Sequence, residues 1–196
     1  DSEHLDFYKS LENLKKNFSK FIEKTPSLGK TFLCIDDKNI KEVVKKTKNK
    51  NFYTYGLSKD VNFQIINPKQ KKNFSKFNLK INIPGIKKEI KNIKVPLIGF
   101  HNIKNSASCV AISFLIGINT KIIKSGLSKF KGVERRFNFL FEANKALFFD
   151  DYAHHPTEIS SVLDGVKEVY KKKEVICVFQ PHRISRVKNL KNEFSK

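Results

Sequence analysis

The segment that most constrains the fold is an apolar run, Ala146-Leu147-Phe148-Phe149, opening into DDYAHHPTE at residues 150–158. A short apolar run bounded by polar residues predicts a buried strand. Proline is tolerated in the first turn of a helix, so a helix is expected to start near Pro156. Strand, polar loop and helix in that order predict an α/β fold, in which ligands bind beyond the carboxyl ends of the strands. The run 175–179 followed by FQPHRISR at 179–186 repeats the design. Two strand ends carrying His, Asp and Arg are expected to converge on one anionic substrate.

The rarer side chains concentrate in the same places. Among 39 Lys and Arg residues the four arginines are Arg135, Arg136, Arg183 and Arg186. They fall in only two segments, GVERRF and PHRISR. A guanidinium offers a planar fork that matches carboxylate or phosphate at two points, which an ammonium cannot do. A cluster of surface ion pairs would use the same residues.

The net charge of +20 raises the alternative of a basic nucleic-acid-binding module. The lysines are spread along the whole chain, and no zinc-finger, KH or RNP-like signature accompanies them. Such charge predicts salt-sensitive, non-specific adhesion rather than a specific nucleic-acid partner. No apolar run approaches the roughly 20 residues that span a bilayer, so no membrane is expected. Cys34, Cys109 and Cys177 each sit in an apolar stretch without metal-ligand spacing. They are expected to be buried free thiols in a cytoplasmic setting. The chain holds no Met and begins at Asp1, which suggests a fragment or a processed chain.

Along the chain, Leu11, Leu14, Phe18, Phe21 and Ile22 recur at helical spacing and predict an amphipathic helix over 10–24. A strand is expected at 31–35 and a second helix at 37–46. β-like runs follow at 52–55, 61–66 and 74–83, with Pro84-Gly85 as a turn and a further strand at 93–97. Ala107, Val110, Ala111, Phe114 and Leu115 fit a buried helix, and 119–129 another. Residues 138–151 read as β-rich, 156–170 as helix, 174–179 as strand and 184–195 as the start of a helix. The lysine-rich stretches 45–50 and 69–72 read as solvated loops. Gly29-Lys30-Thr31 imitates the end of a phosphate-binding loop, but the required earlier glycine is absent and a strand follows. A domain boundary is expected near Lys131-Gly132.

EHLDFY, GFHN, GVERRF, DDYAHHPTE and FQPHRISR, in this order, resemble the Mur ligase family. The likeness spans residues 3–186. It implies the C-terminal part of a P-loop-type central ATPase domain at 1–131, followed by the start of a Rossmann-like C-terminal domain at 132–196. It also implies an ATP-dependent, amide-forming ligase of peptidoglycan synthesis. In that chemistry ATP phosphorylates the carboxylate of UDP-N-acetylmuramate, and the amine of L-alanine attacks the acyl phosphate. Without the rest of the central domain the chain by itself is expected to be inactive.

Residue by residue, the resemblance implies His4 as a Mg²⁺ ligand, with Glu3 where the family often has Asp. It implies Asn102 and Asn105 at the adenine, although Asn102 also suits helix capping. Arg136 would lie near the phosphates and Asp151 at the ribose, unless the two form a structural ion pair. His154, His182, Arg183 and Arg186 would face the reacting centre, and His155, Arg183 and Arg186 the incoming substrate. His155 also suits a packed helix start. Branches adding later amino acids carry a modified lysine where this chain has Phe18 and Ser19, which favours the alanine-adding branch. The murein-tripeptide recycling branch is the alternative within the family, and PHR at 181–183 favours the alanine-adding one.

Overall fold

The computed structural model describes residues 4–49 and 51–195. A single helical turn, α1 (Leu5–Tyr8), leads into α2 (Leu11–Glu23). Ser10 caps α2 by accepting from the Asn13 amide at 3.2 Å, as a short hydroxyl side chain does at a helix start. β1 (Thr31–Cys34), α3 (Lys38–Lys46) and β2 (Phe52–Gly56) come next, α3 being capped by Asp37. Then follow β3 (Phe63–Lys71), β4 (Phe74–Ile83) and β5 (Ile86–Val95). These strands form one sheet in the order β1-β2-β3-β4-β5. The pairs β1/β2 and β2/β3 are parallel; β3/β4 and β4/β5 are antiparallel.

Strand alternation decides which residues reach the core. On β4, Phe77, Leu79 and Ile81 are buried while Lys76 and Lys80 face solvent. They pack with Phe63 and Ile65 of β3 against α4 (Phe100–Leu115) and α5 (Thr120–Ser128). On the other side of β1, Leu33 joins Ile22 of α2 and Val43 of α3 in a second cluster. Phe32, one residue earlier, points into the main core.

The C-terminal part holds a hairpin, β6 (Asn138–Ala143) and β7 (Ala146–Asp150), then α6 (Pro156–Val169), α7 (Ile184–Asn189) and α8 (Lys191–Phe194). Asn144 and Lys145 both take positive φ, 49° and 66°. That is the backbone of a two-residue hairpin turn whose twist matches the flanking strands. The expected α/β class is the observed one.

Several local expectations are corrected. β5 begins at Ile86 rather than 93, because Lys91 and Asn92 bulge opposite Asn78 and bring Ile90 and Ile93 to the same buried face. The bulge breaks the period-two pattern and hides the strand. Lys69, Gln70 and Lys71 belong to β3, paired with β4, and only Lys72-Asn73 turns. Lys45 and Lys46 end α3, and Lys50 lies outside the described residues. Residues 174–179 form no strand: they run beside β7 across an open apolar cavity without ladder bonds, leaving Ile176 and Val178 exposed. Of the cysteines, Cys109 and Cys177 are exposed, because one sits on the solvent side of α4 and the other on that unpaired segment; Cys34 is half-buried.

Phe77 has no exposed surface and sits at the centre of the main core. Phe77→Ala is expected to lower stability by about 3–5 kcal/mol in urea unfolding, the cost of deleting a buried ring and leaving its cavity. A loss under about 1 kcal/mol would show a core that collapses around the vacancy.

Candidate functional site

The site forms where the N-terminus of α4 meets the segment leading into β6, the loop after β7 and the start of α6. Gly99, the N-cap of α4, has φ +96°, and a Cβ there would strike the His101 ring. Only glycine takes this backbone without strain. Asn102, three residues on, donates from its side-chain amide to the Ile98 carbonyl at 2.7 Å. It braces the helix entry from the first turn rather than acting as the N-cap. Asn105 is exposed one turn further.

A cavity of about 490 Å³ opens beside Asn102, walled also by Leu97, Lys131, Arg136, Phe137 and Tyr170. Its size suits a small-molecule ligand. Arg136 is exposed, and its guanidinium lies 3.7 Å from Glu158 of α6. The alternative Arg136–Asp151 ion pair is therefore not the observed one. Asp151 instead accepts from the backbone amides of Phe137 and Ala153, each at 2.7 Å. A carboxylate offers about four lone-pair sites, so two amides leave it able to accept further hydrogen bonds. Arg135 pairs with Asp150 at 3.7 Å and stacks over Tyr152, 4.6 Å from the ring centre.

The HHPTE segment builds the start of α6. His155 is buried, and its Nδ1 accepts from the Thr157 amide at 3.3 Å. Glu158 reaches back to the His154 amide at 3.2 Å. Together they imitate a capping box, with histidine in place of serine. This geometry favours the packed helix-start role of His155. His154 is held by its ring contact with the Tyr152 carbonyl at 2.8 Å and lies edge-on to Tyr152.

The two segments expected to converge do meet, although only the first leaves a strand. The rings of His154 and His182 meet edge to face with centres 5.8 Å apart. Arg186 donates to the His182 carbonyl at 3.3 Å. Arg183 approaches Asp6 of α1 at 4.0 Å, and Ser185 donates to the same carboxylate at 3.2 Å. Two segments separated by nearly the whole chain are thereby joined. His4 opens α1 with φ 57°, exposed and without a side-chain capping bond, its carbonyl accepting from the Phe7 and Tyr8 amides; Glu3 lies outside the described residues. Among the described residues no group of three or more His, Cys, Asp or Glu side chains is arranged to hold a metal ion. A lone exposed histidine is not a metal site by itself, because Mg²⁺ prefers oxygen ligands.

Residues 1–113 match the Mur ligase middle domain, and residues 135–196 match the Mur ligase, glutamate ligase domain. This chain belongs to the Mur ligase family. It is similar to the UDP-N-acetylmuramate–L-alanine ligase of Pelagibacter ubique, 57% identical over 196 residues, covering all of this chain and 42% of that protein. The corresponding ligase of Brachyspira hyodysenteriae is 41% identical over 201 residues, covering 99% of this chain and 41% of that protein. Among solved structures, the UDP-N-acetylmuramate–alanine ligase of Thermotoga maritima superposes with a TM-score of 0.70 at 28% identity, covering 96% of this chain and 41% of that one. The chain thus spans about two-fifths of the length of the relatives it matches. No helix among the described residues is long and apolar enough to cross a membrane.

In this Mur ligase chain, several residues of the site were not legible from sequence. Glu158 contacts both Arg136 and His154, and its place four residues after His154 was the available signal. Asp6 stands two residues past His4, within a motif already singled out. His101 stands within the GFHN motif beside Asn102, and the resemblance assigns a role there only to Asn102. The His101 ring is half-buried behind Gly99, with Nδ1 buried and without a hydrogen-bond partner. Burial lowers its pKa below the ordinary 6.5; nearby Asp151 opposes the shift, while Arg136 and Lys104 add to it.

The sign of the consequence is fixed. As pH falls through the ordinary histidine range the unfolded chain takes up the proton before the folded one. His101 therefore leaves stability intact above about pH 6.5 and erodes it below. His101→Gln is expected to flatten the fall in Tm between about pH 7.5 and 5.5. An unchanged slope would assign the acid sensitivity to other groups.

Proposed function

We propose that the complete protein carrying this chain is an ATP-dependent ligase that joins L-alanine to UDP-N-acetylmuramate through an acyl phosphate, in peptidoglycan synthesis. The observation that carries this reading is the full-length match of the chain to ligases named for that reaction, at up to 57% identity among those described above. We read residues 1–131 as the later part of the ATP-binding central domain and 132–196 as the first part of the C-terminal domain. The cytoplasmic expectation travels with this reading, since ATP and a nucleotide sugar are its substrates.

In this proposal the 490 Å³ cavity, which Asn102 and Arg136 line, receives part of the ATP, with Asp151 at the adjoining apolar cavity and Asn105 one helical turn beyond. A carboxamide both donates and accepts, so Asn102 and Asn105 suit an adenine edge. Asp151, with lone pairs left after its two amide bonds, suits a ribose diol. Arg136, exposed beside the cavity, suits the phosphates. His4 would be the protein's contact to Mg²⁺, which when bound draws charge from phosphate oxygens.

Arg183 and Arg186 are the cations nearest the His154–His182 contact along the chain, and they suit carboxylate groups of alanine and of the muramyl acid. His154 and His182 are placed to hold or pass the proton that the alanine amine must lose on attack. His155 supports them by fixing the start of α6.

The test is L-alanine-dependent release of ADP from ATP in the presence of UDP-N-acetylmuramate, assayed on the complete gene product. Arg136→Ala is expected to lower the rate on the order of 100-fold, the loss typical for one charge-stabilising donor. Turnover near wild type would remove Arg136 from the site, and ADP release indifferent to alanine would sink the reading itself.

A further inference from the structure

Where α4 meets α6 the two backbones touch. A Cβ on Gly165 would lie 3.0 Å from the Gly99 Cα and 3.3 Å from its nitrogen, tighter than side chains ordinarily pack. Both glycines are buried. Gln70 of β3 closes the junction from a third side. Its Oε1 accepts from the Gly99 amide at 2.5 Å, and its Nε2 donates to the Glu168 carboxylate of α6. One primary amide therefore ties the N-cap of α4 to α6.

The junction borders the 490 Å³ cavity. Asn102, three residues after Gly99, and Tyr170, two after Glu168, both form its wall. The spacing of α4 and α6 thus bears on how far apart Asn102 and Tyr170 stand in the wall of that cavity. We propose that Gln70 is a positioning residue for the cavity: its bridging amide holds the two helices together, with the Gly99–Gly165 contact as the stop. The nucleotide consequence rests on the reading of the cavity given above.

The chemistry requires an amide opposite a carboxylate. A second carboxylate at position 70 would keep an acceptor for the Gly99 amide but repel Glu168. Exchanging the two groups, by Gln70→Glu together with Glu168→Gln, returns one amide and one carboxylate and restores both bonds. A merely structural glutamine would not be rescued in this way.

The experiment is amide hydrogen exchange on the complete gene product, with ADP binding measured by calorimetry on the same samples. Gln70→Glu is expected to speed exchange in residues 99–103 and 163–170 by about tenfold and to weaken ADP by a similar factor, the worth of one charge-assisted hydrogen bond. The double exchange is expected to return both to within about twofold of the native chain. Gly165→Leu, which leaves the amide intact, is expected to open the same segments by wedging the stop.

Native exchange in Gln70→Glu, or a double variant as loose as the single one, would overturn the proposal. So would Gly165→Leu behaving as the native chain. Rescued exchange with ADP binding absent or unmoved would uphold Gln70 and sink the nucleotide reading of the cavity instead.

Discussion

The seating of α4 on the sheet is the constraint from which the rest of the structure follows. Its inner face is Ile103, Ala107, Val110 and Ala111, all with no exposed surface. Two alanines in that row let the helix axis approach the strands closely, and the large side chains come from the sheet: Phe63, Ile65, Phe77 and Leu79. Division of bulk in this way gives interdigitated packing without voids. It also fixes the rotation of α4, and thereby the direction of Gly99, His101 and Asn102 at its N-terminal end.

From that end the candidate site is assembled largely by backbone. Asp151 is held by two main-chain amides, Tyr152 donates its amide to the Arg135 carbonyl, and Gly99 rests against Gly165. Arg135, Phe137 and Arg183 adopt positive φ near 57°, 52° and 66°. Non-glycine residues in that region carry a conformational cost that the surrounding structure must outweigh. Other non-glycine residues with positive φ, such as Asn67, Asn92, Asn144 and Lys145, lie away from the arginine motifs, so this backbone is not peculiar to the site. The ion pairs here are long and partly exposed, so they orient side chains more than they stabilise the fold.

Legibility differed sharply between elements. α2, α3, α5 and α6 were readable because each is amphipathic and begins at a side chain that caps it, Ser10, Asp37, Asn119 and His155. β4 was readable because its alternation is unbroken. β5 was not, since a bulge shifts its register midway and lysines fill its first half. The expected strand at 174–179 had the right composition, but a strand exists only when a neighbour supplies its hydrogen bonds, and β7 stands off across the apolar cavity.

By itself the sequence determined the α/β class, the order of the elements and the segments where ligand chemistry gathers. Those features are local: side-chain periodicity, caps, and the clustering of scarce His and Arg. Tertiary structure alone decided the partners. It set Arg136 against Glu158 rather than Asp151, joined Asp6 to the PHRISR segment, and turned Gln70, read as part of a solvated lysine loop, into a bridge between helices. Such pairings depend on how rigid elements dock, and docking follows from the summed fit of buried faces, which no single stretch of chain encodes.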